Sequence, residues 1–192
     1  TLRAAEALWD LTGREQLSAV GLDAATWGER FGNLWCLAAA LHDIGKGNDH
    51  FQGMVQGIPG RQENGRPRPQ GLRHEWVGAL FLFKEEVLSW LAPVLQDDFG
   101  ELCLYCAVTG HHPGHGRPYP PRGVRSEGSG STLLLYRSHP DFTSSLALVH
   151  ECLGLESSPP LSDEQWSLTG FRSVFRDLTD LAERMETRWR EA

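Results

Sequence analysis

The chain has 192 residues, of which 40% are hydrophobic and 22% are charged, and its formal net charge is −7. This length and composition are typical of one globular domain with a sizeable core, so we expect a single domain over residues 1–192. The negative charge argues against a surface covered in basic groups for gripping duplex DNA. No apolar run is long enough to cross a bilayer and no signal-peptide pattern opens the chain, so we expect no membrane partner.

Apolar residues recur at steps of three and four through most of the chain, which predicts an all-α fold. The predicted helices cover residues 2–18, 27–43, 74–90, 101–109, 141–153 and 162 to the C-terminus. Residues 133–136 are the only candidate strand. Two segments rich in glycine and proline, 53–72 and 113–131, are predicted as long irregular loops. Because Thr1 already lies in a helical pattern, we expect the chain to be part of a longer polypeptide.

A histidine and an aspartate stand side by side at the end of the second predicted helix, in the sequence HDIGK at residues 42–46. Further histidines follow at His74, which opens a helix, and at His111 and His112, which end another. Imidazole nitrogen and carboxylate oxygen are the ligands of catalytic divalent transition metals, and side chains at helix ends can converge in a bundle core. The pattern therefore predicts a metal-dependent hydrolase.

Two residues of this pattern have features suited to phosphate chemistry. Asp43 offers two carboxylate oxygens and can therefore bridge two metal ions. Lys46 lies three residues later, so one helical turn can bring its ammonium group near the same carboxylate or near a bound phosphate. A lone buried histidine is more often a hydrogen-bonded core residue, and a His-Asp pair also arises by chance. The interpretation therefore depends on the whole set in its order along the chain.

The pattern resembles the HD phosphohydrolase superfamily and, within it, the HD nuclease domain of the CRISPR type I helicase-nuclease. The similarity lies in the HDIGK sequence and the Phe51-Gln52 pair after it, in Arg73-His74-Glu75, and in the Gly110-His111-His112 sequence, and it spans roughly residues 1–115. This resemblance implies an HD-domain helical bundle in the prokaryotic cytoplasm. It also implies one or two ions of manganese, iron, nickel or cobalt, and cleavage of single-stranded DNA unwound by a helicase domain. A CRISPR surveillance complex is the implied partner.

The same resemblance implies roles for single residues. His42 would bind one metal ion and Asp43 would bridge both. His74, His111 and His112 would complete the shell of the second ion, while Lys46 would orient or neutralise the scissile phosphate. Asp43 and Lys46 would thus be the catalytic residues.

Two ligands of that family are missing from the pattern. The family has a histidine near the start of its first helix, whereas no histidine precedes His42 here, and we expect that residue to lie before Thr1. The family also has a late aspartate in an Ala-Asp-Trp context, which this chain lacks. The weak candidates for this ligand are Asp177 and Asp180, and still weaker ones are Asp141 and Asp163.

Several other residues leave their roles open. His115 is interpreted as a loop residue or as a residue that touches substrate, and His50 as a residue that lines the cleft or is simply exposed; His139 and His150 belong to no motif. The four cysteines, Cys36, Cys103, Cys106 and Cys152, are expected to be free thiols, mostly buried, in a reducing compartment. Arginines cluster in the two loops, where they either are solvated or steer phosphate; these are Arg61, Arg66, Arg68, Arg73, Arg117, Arg122 and Arg125.

Two other functions compete with the nuclease. An enzyme of the same fold could hydrolyse nucleotides or cyclic dinucleotides, although Pro113 and the sequence RPYP at 117–120 depart from the cyclic-dinucleotide class. A degenerate HD domain could instead only bind nucleic acid or protein. The missing first histidine favours that alternative, whereas Asp43, Lys46 and the paired histidines oppose it.

Overall fold

The computed structural model describes residues 1–56, 62–63, 66–67, 72–111, 132–158, 161–170 and 173–191. Within these ranges helices dominate, which confirms the predicted all-α fold. The α-helices are α1 (Leu2–Ala19), α2 (Ala24–Leu41), α3 (Asp49–Gln56), α4 (His74–Leu82), α5 (Glu85–Leu95), α6 (Asp98–Gly110), α7 (Pro140–Leu153) and α8 (Val174–Glu191), with a 3-10 helix (Ile44–Lys46) after α2. The strands are β1 (Gln62–Glu63), β2 (Arg66–Pro67), β3 (Thr132–Leu135) and β4 (Glu164–Ser167). Strands β1 and β2 pair antiparallel, as do β3 and β4.

Helix α4 lies at the centre of the hydrophobic core. Val77, Ala79, Phe81 and Leu82 have no exposed surface, and the helix contacts the 3-10 helix, α5, α6 and α8. A helix that is buried on all sides is typical of the interior of a bundle. Its first residue, His74, is consequently held at the edge of the core.

Helix α2 presents the apolar stripe expected from its sequence. Leu34, Leu37, Leu41 and Ile44 are all buried, and the helix contacts α1, α5, α6 and α7. The helix begins at the Asp23 cap, whose carboxylate accepts a hydrogen bond of 2.9 Å from the Thr26 backbone N–H. The stripe continues past the end of the helix and thereby fixes the direction in which the chain leaves it.

The single helix predicted over 74–90 is wrong, because the chain forms α4 and α5 with a break at Phe83 and Lys84. Lys84 has an extended backbone, with φ −71° and ψ 144°. Its Nζ donates to Glu164 Oε1 at 2.5 Å and lies 5.7 Å from the centroid of the Trp166 ring. This contact with β4 outweighs the helical pattern of the sequence.

The helix predicted from residue 162 onward is also wrong in its first part. Residues 164–167 form β4, which pairs Trp166 with Leu133 and Glu164 with Leu135, and α8 begins only at Val174. Burial of Trp166 and Leu133 on one face stabilises the pair of strands. The candidate strand at 133–136 is confirmed as β3, but its partner was not predicted.

The irregular loop predicted over 53–72 begins as helix, because α3 continues to Gln56, and residues 62–63 pair with 66–67. Helix α3 follows the buried Asn48, whose Nδ2 donates to Gly45 O at 2.6 Å and whose Oδ1 accepts from Phe51 N–H at 2.9 Å. The rest of this segment and the second predicted loop, 113–131, lie outside the described residues.

The cysteines are free thiols, as expected, but they are not mostly buried. Cys36 and Cys103 are half-buried, whereas Cys106 and Cys152 are exposed. The apolar neighbours of Cys106 in the sequence face the core from other sides of α6. No helix in the described ranges is both long enough and apolar enough to span a bilayer.

Candidate metal centre

Asp43 occupies the turn between α2 and the 3-10 helix. The turn is held by a close approach of Gly45 to α4, where an added Cβ would lie 2.0 Å from His74 O and 2.4 Å from Gly78 N. Only glycine allows the two backbones to come this near. The HDIGK sequence therefore includes Gly45 for a packing reason, and that packing places Asp43 beside His74.

The Asp43 carboxylate lies next to the imidazoles of two other helix ends. Its Oδ1 is 3.3 Å from His74 Nε2 and 3.5 Å from His111 Nε2, and those two nitrogens are 3.3 Å apart. Two ligand atoms about 2.1 Å from one transition-metal ion are about 3.0–3.4 Å apart in octahedral or tetrahedral geometry. Asp43, His74 and His111 therefore form a group that could hold a metal ion.

The hydrogen bonds of the imidazoles assign their tautomers. His111 Nδ1 lies 2.6 Å from Val108 O, His42 Nδ1 lies 3.0 Å from Ala39 O, and His74 Nδ1 lies 3.3 Å from Glu75 Oε2. A carbonyl oxygen only accepts, so the neutral rings of His111 and His42 donate through Nδ1 and keep a lone pair on Nε2, whereas the Glu75 carboxylate is an ionic neighbour of the His74 ring. This orientation by an outer partner is typical of metal-binding histidines.

A carboxylate oxygen of this group is placed where a cation would satisfy it. Asp43 Oδ1 lies beside His74 Nε2 and His111 Nε2, which are themselves 3.3 Å apart. Asp43 Oδ1 is buried and accepts no hydrogen bond from the described residues. An acceptor left without a partner in a protein interior costs free energy, and a bound divalent cation would offset that cost. The donor set thus fits a divalent transition metal.

The ionisation states of the centre agree with this arrangement. Burial lowers the pKa of His74 to about 4, although Glu75 and Asp43 oppose the shift. Burial raises the pKa of Asp43, but hydrogen bonding to Lys46 and the charges of His42, Lys46 and His74 lower it more, so its pKa lies below the usual value. At neutral pH the centre consequently presents a neutral His74 imidazole and an ionised Asp43 carboxylate.

His42 and Lys46 both contact the second oxygen of Asp43. His42 Nε2 lies 3.3 Å from Asp43 Oδ2, and its ring centroid is 5.1 Å from that of His111. Lys46 Nζ donates to the same Oδ2 at 2.7 Å and lies 5.5 Å from the centroid of the Phe51 ring. His42 and Lys46 therefore contact the Asp43 oxygen that does not face His74 and His111, although the His42 ring is also close to His111.

Glu75 is a part of the centre that sequence reasoning did not single out. It is 3% exposed, it faces His74 Nδ1, and it forms an ion pair with Arg73. Its only signal in the sequence was its place directly after His74. Arg73, one of the loop arginines expected to be solvated or to steer phosphate, is instead paired within the chain. The side chains of the other six arginines lie outside the described residues.

The structure places the other histidine candidates as follows. His50 is buried in α3, so the interpretation of it as an exposed residue is wrong, and its Nε2 lies 2.9 Å from Thr132 O. His139 caps α7, and His150 Nδ1 lies 2.5 Å from Leu155 O, so both have local structural contacts. His112 and His115 fall outside the described residues.

The candidates for the late aspartate do not join the group at Asp43. Asp163 accepts hydrogen bonds from the backbone and hydroxyl of Ser138, and the Asp141 side chain is 95% exposed. Asp177 and Asp180 lie on α8, and Asp177 lines a separate cavity together with Trp166. Among the described residues, only Asp43, His74 and His111 place their ligand atoms close enough together to share an ion.

A groove of about 480 Å³ adjoins the centre at Asp43 and Lys46. Its walls come from the 3-10 helix, α3, the turn after β3 and α7. The Tyr136 N–H donates to Gly47 O at 2.8 Å and Leu134 N–H donates to Asp49 Oδ1 at 2.9 Å, so β3 is joined to the chain just after the HDIGK sequence. Asp49, which sequence reasoning also missed, helps to fix this wall.

Comparison with known proteins identifies the family. The family model described as "Cas3, HD domain" matches residues 1–174. The chain belongs to the Cas3 HD-domain family. This assignment confirms the resemblance to the HD nuclease domain of CRISPR helicase-nucleases, and it extends the similarity well past residue 115.

A relative of this Cas3 HD domain is the "Putative CRISPR-associated nuclease/helicase Cas3" of Myxococcus xanthus (strain DK1622), which is 38% identical over 165 residues. The aligned region is 83% of this chain and 20% of the relative, so the chain spans about a fifth of that protein's length. No solved structure shows a significant match to the chain.

Proposed function

We propose that this Cas3 HD domain is a metal-dependent nuclease that hydrolyses phosphodiester bonds of single-stranded DNA in CRISPR antiviral defence. The observation that supports the proposal most strongly is the convergence of Asp43, His74 and His111, whose ligand atoms all lie within 4.8 Å of one another. Membership of a nuclease family supports the reaction class, and the relative's description as a nuclease/helicase supports the DNA substrate.

The proposed metal ligands are Asp43, His74 and His111 for one ion of manganese, iron, nickel or cobalt. His42, which faces the other oxygen of Asp43, would hold a second ion if two are bound. His112 follows His111 directly in the chain and is proposed as a further ligand. Such ions, when bound, supply Lewis-acid activation of water and neutralise charge on the phosphate.

The chain's own residues would prepare the site for this chemistry. Val108 O and Ala39 O accept from Nδ1 of His111 and His42 and so direct the Nε2 atoms inward, and the Glu75 carboxylate would orient His74 from 3.3 Å. Lys46 keeps Asp43 ionised, and its partly exposed ammonium group is available to a phosphate approaching from the groove. Asp43 and Lys46 are therefore the proposed catalytic residues, with Asp43 as ligand and Lys46 as the group that positions the scissile phosphate.

We also propose a cellular setting from the relative. Because the chain spans 20% of a nuclease/helicase, a helicase domain in the same or a companion polypeptide would deliver unwound DNA to this domain. A CRISPR surveillance complex would recruit that assembly in the prokaryotic cytoplasm. Residues 1–192 would then be one nuclease domain of the longer protein.

The test is cleavage of circular single-stranded DNA by the purified chain with manganese, nickel, cobalt or ferrous iron, and again with excess chelator. We expect the circles to become linear DNA when metal is present and to stay intact with chelator. Because a circle has no end for an exonuclease, this result would identify an endonuclease. Cyclic dinucleotides and a nucleoside triphosphate are assayed in parallel. Turnover of these small substrates without cleavage of the circle would replace the proposal with a phosphohydrolase function.

A domain that only binds nucleic acid would behave differently from a nuclease in these assays. It would bind DNA in an electrophoretic mobility assay and would leave every substrate intact with each metal. The Asp43, His74 and His111 group argues against that outcome, since its nitrogen and carboxylate donors fit a divalent transition metal and Asp43 Oδ1 is buried without a hydrogen bond from the described residues.

A further inference from the structure

The groove beside the candidate metal centre is lined by both charged and apolar side chains. At one end it is lined by Asp43 and Lys46, which belong to the proposed catalytic site. Its apolar lining comes from Ala40, Ile44 and Phe142. Its volume of about 480 Å³ lies within the range of about 300–1,000 Å³ that is typical of pockets for small organic groups.

The charges in the groove place a phosphate at one end only. Among the described lining residues Lys46 is the only lysine or arginine, whereas Asp49 and Asp141 contribute carboxylates. His139 is 57% exposed and lies 3.8 Å from the Asp141 carboxylate. A sugar-phosphate backbone laid along the groove would therefore meet negative charge beyond Lys46. The part of the groove beyond Lys46 therefore suits a neutral group better than a phosphate.

The neutral side chains of the far part suit a flat group with hydrogen-bonding edges. Gln52 Nε2 donates to Lys46 O at 2.9 Å, and Gln56 Nε2 donates to Gln52 Oε1 at 3.2 Å, so the two amides form a row that begins at the catalytic lysine. Tyr136 adds a half-buried aromatic ring. Amides paired with an aromatic ring are the usual means of binding a nucleobase by its edge and its face.

We propose that this groove binds the base of the nucleotide next to the scissile phosphate, with the phosphate at Lys46 and the base between α3 and α7. This inference rests on the proposed nuclease function, and it explains why the domain would cleave single-stranded rather than duplex DNA. A base held in the groove cannot remain stacked and paired in a duplex, so the groove selects unpaired strands. Binding of one base also fixes which phosphate lies at the metal centre.

The test uses a pair of matched variants on α7. Ser145 lines the groove, so Ser145→Trp fills it, whereas Ser144→Trp adds the same side chain at the neighbouring exposed position. The substrates are an oligothymidylate and the same oligomer with one abasic position. In the wild-type chain with manganese, cleavage at the phosphate beside the abasic position is expected to fall about 10-fold, in line with the usual strength of base stacking.

The variants should distinguish loss of base binding in the groove from general destabilisation of the protein. Ser145→Trp should raise KM for the intact oligomer about 10-fold and remove the difference between intact and abasic positions. Ser144→Trp should behave as wild type. Gln56→Ala, an exposed change on α3 that does not threaten folding, should give a smaller effect in the same direction. Equal cleavage of intact and abasic positions by the wild-type chain would overturn the proposal.

A second readout does not depend on catalysis. An oligomer containing one 4-thiothymidine is irradiated with the protein, and the cross-linked peptides are located by mass spectrometry. Cross-links to α3 or to residues 136–145 are expected, and Ser145→Trp should remove them. Cross-links only elsewhere would overturn the groove assignment even if DNA is cleaved. Cross-links at the groove without any cleavage would reject the nuclease function and leave base binding supported.

Discussion

The candidate metal centre depends on which ring nitrogen of each imidazole faces the protein and which faces a ligand. In His74 we expect Glu75 to decide this, because its buried carboxylate lies 3.3 Å from Nδ1. Val108 O and Ala39 O do the same for His111 and His42. Backbone carbonyl oxygens cannot be changed by mutation. Glu75 is therefore the partner whose substitution tests whether orientation of the imidazoles affects metal binding.

Glu75→Gln should lower the affinity for manganese about 10-fold, because a neutral amide holds the Nδ1–H of His74 less strongly than a carboxylate does. Titration calorimetry measures the affinity, and circular dichroism verifies that the helices persist. Glu85→Gln, an exposed change in the first turn of α5, is the matched control and should bind metal as wild type does. Unchanged affinity in Glu75→Gln would show that Glu75 serves only the ion pair with Arg73.

The pKa of His74 predicts how the metal-free protein responds to acid. The pKa is about 4 in the folded chain and near 6.5 without burial, so between these pH values the unfolded state binds a proton that the folded state does not. Stability conferred by neutral His74 is thus complete above pH 6.5 and falls as the pH drops toward 4, by up to about 3 kcal/mol.

Urea unfolding in the presence of chelator, from pH 7.5 to 4.5, measures this dependence. His74→Gln has no titrating ring and should show a shallower loss of stability over the same range. Parallel curves for the two proteins would mean that His74 keeps an ordinary pKa in the folded state.

At the scale of elements, the site is assembled by the contact between the 3-10 helix and α4. Gly45 lies against the backbone of His74 and Gly78, so the two elements are closer than any side chain would permit. This contact, rather than the metal ligands themselves, determines the separation of Asp43 from His74.

Gly45→Ala should destabilise the fold by about 3 kcal/mol and weaken metal binding, because the new methyl group forces the 3-10 helix away from α4. Thermal unfolding and metal titration measure the two effects. Gly28→Ala in α2 is the matched control, since a Cβ there meets nothing within 4 Å and alanine favours a helix interior. A Gly45→Ala protein as stable as Gly28→Ala would refute the close-contact account.

The helices whose buried face follows a simple period were predicted well from sequence, and the elements fixed by distant contacts were not. Helix α2 was expected from the spacing of Leu34, Leu37 and Leu41, and all three are buried. The break at Lys84 was missed because Glu164, its partner, is 80 residues away. Strand β4 was missed for the same reason, since its pairing with β3 joins segments that are far apart in the chain.

At the scale of the whole molecule, separate helix ends converge on one point beside one groove. The convergence of Asp43, His74 and His111 was predicted from the order of motifs, and the structure brings these three together. The role of Glu75 could not be predicted from the sequence, because it depends on which ring nitrogen of His74 faces the carboxylate. The groove could not be predicted either, because it forms only when α3 and α7 pack together. The roles of all the proposed site residues remain predictions; these are His42, Asp43, Lys46, His74, His111 and His112.

Cleavage of circular single-stranded DNA by the Asp43→Asn variant with saturating manganese tests the central claim most directly. The substitution keeps the volume of the side chain and removes the charge that faces His74 and His111. A loss of about 100-fold or more in kcat/KM, equivalent to about 3 kcal/mol, is expected, while Asp10→Asn on the exposed surface of α1 should leave the rate unchanged. Cleavage by Asp43→Asn at the rate of the wild-type chain would contradict a catalytic metal ion bound by Asp43.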